Sequence, residues 1–214
     1  MKVLISDICG TLFYSNTTFD FIDYLVTGFK YRMVKRIFLN SIVRKINALI
    51  FHLTRYDLTK MVFLRFLRGF TREDLLNAAT IFYDEYLYAR KIDDALDVIN
   101  KYKEKGYEFC LISATIDVLA EVIGKKLHAN SVHSTTLIYD SKGVCSGKLE
   151  FDLLGKKLDY SKKQQLYPFS IVLADDFSDL PLIRNAKIAY IITYQKNLNR
   201  WKSKIDTNMN FIIK

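Results

Sequence analysis

The feature that most constrains the fold is a short apolar run near the start of the chain that ends on an acid. Residues 3–6 have the composition of a buried strand, Asp7 follows at once, and Gly10 lies in the turn beyond it. In open α/β sheets, the groups that carry chemistry lie at the carboxyl ends of the strands. The first residues therefore predict an α/β sheet with Asp7 in its site.

After residue 90 the chain alternates between helix and strand patterns. Apolar residues recur at helical spacing in residues 92–103, 116–127 and 157–167. Short apolar runs typical of buried strands occupy residues 108–112, 170–174, 189–193 and 210–213. Residues 135–149 have the pattern of a hairpin. This alternation favours a Rossmann-like, three-layer core with a mostly parallel sheet and helices on both of its faces.

Between the first strand and residue 91, the pattern is helical throughout. Apolar positions in residues 34–50 follow one continuous helical spacing, and further helices are predicted in residues 58–67 and 72–86. The helical block interrupts the α/β scheme directly after its first strand. We therefore expect two domains: an α/β core of residues 1–13 and 91–214, and an inserted helical cap of residues 14–90.

The positive charge of the chain is concentrated in the inserted block. Residues 29–68 contain ten Lys and Arg and one acid, so this segment carries the whole net charge of +9. One interpretation is an ordinary amphipathic cap with a solvated face. Another is an anionic membrane surface as partner, since the basic residues lie among bulky apolar ones. A third is an acidic soluble substrate or partner. Nucleic acid is disfavoured, because no recognition motif accompanies the charge.

Three observations on the sequence bear on location. No apolar run reaches the roughly 18 residues of a membrane-spanning helix. Asp7 interrupts the hydrophobic region that a signal peptide needs. The three cysteines, Cys9, Cys110 and Cys145, form no convincing disulfide framework. We expect a cytoplasmic protein, and attachment to the periphery of a membrane stays open.

Polar side chains follow three of the predicted strands, at Asp7, Ser113 and Asp175. Parallel strands bring their carboxyl ends to one edge, so these side chains are expected to converge. Two carboxylates from separate strands suit a hard divalent cation, most naturally Mg²⁺. A carboxylate that faces phosphorus is a competent nucleophile, and a hydroxyl and a lysine would bind the phosphate. The pattern predicts phosphoryl transfer.

The same positions resemble motifs of the haloacid dehalogenase-like superfamily. Asp7-Ile8-Cys9-Gly10-Thr11 is similar to its first motif, Asp-x-Asp-Gly-Thr, and Leu111-Ile112-Ser113-Ala114-Thr115 to its second. The segment from Ala174 to Leu182 is similar to the fourth motif, Gly-Asp-Ser-x-x-Asp-Leu-Pro. The third motif is a lone lysine, for which we favour Lys157, with Lys156, Lys162 and Lys163 as alternatives. The helical insertion after the first motif is similar to the phosphoserine phosphatase-like branch.

The resemblance implies roles for the matching residues. Asp7 would be the nucleophile and a ligand of Mg²⁺, together with the backbone carbonyl of Cys9 and the carboxylate of Asp175. Phosphate would be bound by Gly10, Thr11, Ser113, Ala114 and Lys157. Asp176 and Asp179 would not bind the substrate directly but would support the residues that bind Mg²⁺ and phosphate. The activity implied is a Mg²⁺-dependent phosphatase that forms an aspartyl-phosphate from a small or lipid-linked phosphomonoester.

One residue departs from the family pattern. Cys9 stands where the family's phosphatases have the aspartate that protonates the leaving oxygen and then activates water. A neutral thiol is a poor general acid, and general acid–base catalysis typically contributes about 10²–10⁴-fold. Cys9 therefore indicates slow turnover, a good leaving group or a reaction that needs no acid there. The alternatives are a hydrolase of the dehalogenase or phosphonatase type and a catalytically weak regulatory or binding protein.

Overall fold

The structure, a computed structural model, describes residues 2–54, 56–205 and 209–214. In these ranges the strands are β1 Val3–Ser6, β2 Glu108–Ile116, β3 Ser131–Tyr139, β4 Cys145–Phe151, β5 Ile171–Ala174, β6 Ile188–Thr193 and β7 Met209–Ile213. They form one sheet in the order β4-β3-β2-β1-β5-β6-β7. All neighbouring strands are parallel except the antiparallel pair β3 and β4. The predicted α/β class is confirmed.

A block of helices separates β1 from the rest of the sheet. Its helices are α1 Thr17–Leu25, α2 Phe29–Phe38, α3 Ser41–Thr54, α4 Leu58–Leu64 and α5 Arg72–Phe82. The chain leaves the α/β part and returns to it at adjacent points. There the Tyr14 N–H donates to the Arg90 carbonyl at 2.8 Å, and the Ile92 N–H donates to the Leu12 carbonyl at 2.9 Å. The division into two domains stays a prediction, since α1, α2, α4 and α5 share a hydrophobic core with one face of the sheet.

Helices cover both faces of the sheet. The later helices are α6 Asp93–Glu104, α7 Asp117–Lys126, α8 Lys157–Lys163, α9 Leu180–Arg184 and α10 Leu198–Lys202. Successive residues of β1 point to opposite faces: Leu4 packs in the core that contains α6 and α7, whereas Val3 and Ile5 pack in the core that contains α9 and Trp201 of α10. The three-layer, Rossmann-like arrangement is thereby confirmed.

Two helix predictions in the inserted block were wrong. The run predicted in residues 34–50 is two helices, because the side chain of Asn40 accepts the Ile42 N–H at 2.9 Å and caps the start of α3. The helix predicted in residues 72–86 has α geometry only to Phe82 and continues as a π turn, Tyr83–Leu87.

Among the described helices, none has both the length and the apolar character needed to cross a bilayer.

The end of β2 also differs from the prediction. The strand was expected to end at residue 112, yet it runs to Ile116, with a shift of register against β3 after Ser113. The Ser113 hydroxyl accepts the Thr115 N–H at 3.2 Å, and this local hydrogen bond competes with the ladder. Ser113 therefore lies at a bulge within the strand. The helix predicted in residues 157–167 ends earlier, at Lys163.

Candidate active site

A cavity of about 570 Å³ lies at the carboxyl ends of β1 and β5 and at the bulge of β2. Its walls include the three side chains expected to converge, Asp7, Ser113 and Asp175. The opposite wall comes from the inserted helical block and includes Asp57 and Lys60. Residues from both parts of the chain therefore line the cavity.

Asp7 sits at the floor of the cavity in a buried cluster of charges. Its Oδ1 accepts the Ile8 N–H at 2.8 Å, and its Oδ2 lies 2.9 Å from Nζ of Lys157. The same ammonium donates to Oδ2 of Asp179 at 2.7 Å. Burial opposes the charge of Lys157, but Asp179 and Asp7 outweigh it and hold the pKa of Lys157 above its ordinary value. We call Asp7, Lys157 and Asp179 the floor cluster.

The structure also separates the four candidate lysines. The Lys157 side chain is only 4% exposed and bridges two carboxylates. Lys156 lies over the ring of Phe151 and Lys162 over that of Tyr167, while Lys163 is exposed. Lys157 alone among the four reaches Asp7 in the described part of the chain.

Asp175 forms a second charged group at the edge of the cavity. Its Oδ1 accepts the Thr11 hydroxyl at 3.1 Å, and its Oδ2 lies 3.2 Å from Nζ of Lys214. Burial, and then the negative charge of Asp7, raise the pKa of Asp175 to about 6. The loop beside it requires glycine, because Gly10 has a φ of +67° and a Cβ there would lie 2.1 Å from Oδ2 of Asp175.

That Thr11 binds phosphate stays a prediction, because the structure places its side chain behind the cavity wall. Its side chain is fully buried and its hydroxyl is directed at Asp175, so it supports a wall of the cavity from behind. Ala114 does line the cavity, and its carbonyl accepts a hydrogen bond from Nζ of Lys60 at 2.9 Å. Asp176 lines it as well and accepts the Ser178 N–H at 2.7 Å, which fixes the turn after β5.

A chain of hydroxyls lies behind Ser113. Its Oγ is 3.0 Å from the hydroxyl of Thr115, which in turn is 2.8 Å from the hydroxyl of Thr17. Because Ser113 also accepts the Thr115 N–H, Thr115 holds its Oγ in place. Ser113 can then direct its own proton into the cavity, toward an anion.

Cys9 is held with its thiol turned toward the loop that begins the inserted block. Its Sγ donates to the Ser15 carbonyl at 3.3 Å and accepts the Thr17 N–H at 3.3 Å. Burial, followed by the charges of Asp7 and Asp175, raises the pKa of the Cys9 thiol to about 12. A thiol in this environment keeps its proton and does not supply a base.

Sequence reasoning missed two lysines of the site. Lys60 was counted with the exposed basic charge, but it is 4% exposed and forms a salt bridge of 2.7 Å with Asp152. Its spacing gave a signal, because residues 60, 63, 64 and 67 share the buried side of α4 and the turn after it. Lys214 donates to the Gly10 carbonyl at 2.7 Å, and nothing in the local sequence indicates this contact across the fold.

The donors at the cavity suit a hard cation. In the described part of the chain there is no cluster of three or more His, Cys, Asp or Glu side chains spaced for a metal. The available set is two carboxylates, Asp7 and Asp175, and the backbone carbonyl of Cys9. Burial and the nearby charge of Asp7 both raise the pKa of Asp175, so a cation at this edge would favour its ionised form. All three donors are oxygens, the chemistry that Mg²⁺ prefers, with water completing its shell.

Comparisons with known proteins agree with this geometry. The sequence profile described as haloacid dehalogenase-like hydrolase matches residues 4–184. No curated protein sequence matches the chain at a significant level.

Several solved structures share the fold over nearly the whole chain. A protein with unknown function from Bordetella pertussis Tohama I has a TM-score of 0.73 at 16% identity, covering 100% of this chain and 98% of its own. A phosphoserine phosphatase in apo form has a TM-score of 0.60 at 18% identity, covering 97% and 92%. A phospho-aspartyl intermediate analogue of phosphoserine phosphatase has a TM-score of 0.58 at 19% identity, covering 97% and 92%. At such identities the likeness concerns the fold.

Proposed function

The chain belongs to the haloacid dehalogenase-like hydrolase family, as the resemblance of its motifs implied, and on that premise we propose that it is a Mg²⁺-dependent phosphatase with Asp7 as nucleophile. The observation that carries the proposal is the floor cluster, in which a buried lysine bridges Asp7 and Asp179 at 2.9 and 2.7 Å beside an open cavity. The substrate is a small or lipid-linked phosphomonoester. Fold likeness to a phospho-aspartyl intermediate analogue of phosphoserine phosphatase supports the same chemistry.

Different groups of the site would bind the metal ion and the phosphate. Asp7, Asp175 and the carbonyl of Cys9 would hold Mg²⁺, which when bound offsets the negative charge of the transferring phosphoryl group. Lys157 stays protonated between its carboxylates and offers a positive charge to the phosphate oxygens. Ser113, fixed by Thr115, adds a hydroxyl donor.

The reaction proceeds in two displacements. A carboxylate oxygen of Asp7 attacks phosphorus, an O–P bond forms, and the bond between phosphorus and the alcohol oxygen breaks. The leaving oxygen takes a proton from solvent water, and the water consumed in the second displacement returns one to solvent. Water then attacks the phosphorus of the aspartyl-phosphate, releases inorganic phosphate and restores Asp7. Lys157 holds the Asp7 carboxylate in place throughout, since it contacts Oδ2 directly.

Cys9 limits both displacements. Its thiol donates to the Ser15 carbonyl, and its raised pKa keeps it neutral, so it neither orients water nor supplies a proton of suitable acidity. We therefore expect turnover to be fastest with esters whose leaving group needs no protonation. The same observation favours a second candidate, a catalytically weak regulatory or binding protein on this scaffold. A dehalogenase- or phosphonatase-type hydrolase would also function without an acid at position 9.

The experiment is a panel of hydrolysis assays with and without Mg²⁺. Aryl phosphates, alkyl phosphates, a vesicle-borne lipid phosphomonoester, halo-acids and phosphonates are compared in the native protein and in Asp7→Asn. The matched control is Asp97→Asn, which changes an exposed acid on α6. We expect Mg²⁺-dependent release of phosphate from an aryl ester that Asp7→Asn abolishes and Asp97→Asn retains. Cleavage of halo-acids or phosphonates alone, or phosphate release that Asp7→Asn retains, would contradict the proposal.

A further inference from the structure

Exposed apolar side chains are concentrated in one part of the molecule. Among the described residues, the exposed Phe, Met, Ile and Leu side chains all lie between Phe29 and Met61, except Ile81, Ile138 and Ile213. Contiguous exposed apolar surface of this kind marks a place where a protein meets a partner or a membrane. We therefore expect the exposed apolar side chains of α2 and α3 to contact a binding partner.

Helix α2 has two apolar sides, and only one of them is packed. Tyr31 and Phe38 face inward, with ring centroids 5.7 and 5.9 Å from that of Phe63 on α4. Phe29, Met33 and Ile37 follow at intervals of four residues on another side and are 71%, 51% and 55% exposed. The second side forms a stripe that no described residue covers.

Helix α3 also has an exposed apolar side, and it is less buried than α2. None of its described residues is buried. Ile42, Ile46, Leu49 and Leu53 recur at helical spacing along one side and are 52–73% exposed. The inner side is held by Asn47, which donates to Asp57 at 3.0 Å. Helix α3 is thus attached to the protein on one side and presents a row of aliphatic residues on the other.

The charge around these stripes has one sign. The sequence contains no Asp or Glu between Asp23 and Asp57. The exposed basic residues beside the stripes are Lys30, Arg32, Arg36, Arg44 and Lys45. Within the described residues none of these five forms a salt bridge. Two acids lie nearby: Asp23 pairs with Lys35 of α2 at 2.7 Å, and Asp57 caps α4 and bonds Asn47, so neither neutralises the five exposed basic residues.

We propose that the two apolar stripes and these five basic residues, together the α2–α3 surface, dock onto an anionic lipid bilayer. Aliphatic rows flanked by Lys and Arg match the boundary between acyl chains and negatively charged headgroups. A nucleic acid would use the charges but leave the aliphatic rows in water. A second copy of the chain would bury the rows but bring two basic surfaces together.

Helix α3, which carries part of the α2–α3 surface, lies close to the cavity on its inner side. Phe51, on the inner part of α3, comes within 4.0 Å of where a Cβ on Gly155 would stand, two residues before Lys157. Asp57 and Lys60, which follow α3, line the cavity itself. Helix α3 therefore borders the residues that line the site, and the exposed rows themselves contribute no side chain to it.

The test is sedimentation with vesicles of phosphatidylcholine, alone or with about 30% phosphatidylglycerol, in about 0.1 M NaCl and without substrate. We expect the protein to partition at least about tenfold more strongly onto the anionic vesicles. The triple variant Ile46→Gln, Leu49→Gln, Leu53→Gln should lose at least about tenfold of that binding. The variant Arg36→Gln, Arg44→Gln, Lys45→Gln should lose the preference for anionic lipid.

Matched controls keep the result specific. Ile81→Gln changes an aliphatic residue on α5 that is 49% exposed, and Lys101→Gln, Lys142→Gln and Lys187→Gln together remove three exposed positive charges elsewhere. Both controls should bind as the native protein does, and so should Asp7→Asn, which separates this proposal from the proposed activity. The proposal is overturned by absence of binding to anionic vesicles, by equal losses in the controls, or by a lipid-free dimer that the Ile46, Leu49 and Leu53 variant dissociates.

Discussion

The floor cluster and the α2–α3 surface depart from the usual distribution of side chains in opposite directions. At the floor, Asp7, Lys157 and Asp179 are charged groups removed from water. On the α2–α3 surface, residues such as Leu49 and Leu53 are aliphatic groups held in water. Neither arrangement favours the stability of an isolated chain, because buried charges are costly to desolvate and exposed apolar surface is prone to association. Both arrangements are best explained by what the molecule binds.

The two regions differ in how strongly the rest of the protein depends on them. In the floor cluster Asp7 follows β1, Lys157 begins α8 and Asp179 precedes α9, and each charge has a specific partner. Its members cannot be changed singly without leaving another charge unpaired. None of the described residues of α3 is itself buried. Substitution should therefore separate the regions clearly, with large effects on stability and activity at the floor and only small effects on stability at the surface.

The largest effect is expected from Lys157→Met. The variant leaves Asp7 and Asp179 buried without their cation, which costs about 3–5 kcal/mol in the free energy of unfolding. It also removes a positive charge from the proposed phosphate site, with an expected loss of about 10²–10³-fold in turnover. Urea denaturation and phosphate release measure the two effects. Lys156→Met is the control, and if both variants behaved alike, the floor cluster would have no special role.

A gain of activity is expected from Cys9→Asp. The new carboxylate can protonate a leaving oxygen and orient water, so hydrolysis of an alkyl phosphate should rise by about 10²-fold. Cys9→Ser provides the comparison, because it changes the size and polarity of the side chain without adding an acid. Rates are measured under identical Mg²⁺ concentrations. Unchanged or lower activity in Cys9→Asp would show that the thiol does not stand in place of a missing acid.

A smaller effect is expected from Lys214→Met. The Lys214 ammonium lies 3.2 Å from Asp175 and 2.7 Å from the Gly10 oxygen, so it repels a cation that uses Asp175. Its removal should tighten the binding of Mg²⁺ by about tenfold, or about 1.4 kcal/mol. Calorimetric titration with Mg²⁺ measures this directly. Lys196→Met, at an exposed position, should bind Mg²⁺ as the native protein does, and weaker binding in Lys214→Met would contradict the assignment.

The smallest effect on stability is expected at the α2–α3 surface. Leu53 is 73% exposed, and Leu53→Gln removes no packing, so the free energy of unfolding should change by no more than about 0.5 kcal/mol. Thermal and urea unfolding are the measurements. A matched core substitution, Leu64→Gln on α4, should instead be strongly destabilising, since Leu64 is fully buried. A large loss of stability in Leu53→Gln would mean that the stripe is packed in solution.

The sequence predicted the α/β part well because its determinants are local. The apolar runs before Asp7 and Asp175 are short, buried on both faces and followed directly by polar residues, and both strands occur as expected. Ser113 shows the limit of such reasoning, because its side chain bonds its own backbone and creates a bulge inside a longer strand. The pattern of apolar residues in the sequence gives no indication of such a side-chain-to-backbone hydrogen bond.

The parts of the site that were missed depend on distant contacts. Lys60 reaches Asp152 across 92 residues of sequence, and Lys214 reaches Asp175 across 39. In the sequence each lysine looks like a solvated charge, because pairing across the fold leaves no periodic signal. The helical periodicity of α3 was recognisable, but periodicity alone does not show whether an apolar stripe is covered. That information came only from the exposure of Ile42, Leu49 and Leu53 in the folded chain.

The most direct test of the account is to trap the phosphorylated enzyme. The native protein is mixed with an aryl phosphate and Mg²⁺, quenched in acid during the first turnovers, digested and analysed by mass spectrometry. Because Cys9 cannot orient water, the aspartyl-phosphate should persist long enough to be detected. We expect one phosphoryl group on the peptide that contains Asp7, and none in Asp7→Asn. Phosphate release with no adduct on that peptide, or with the adduct on another residue, would contradict the central claim that Asp7 is the nucleophile.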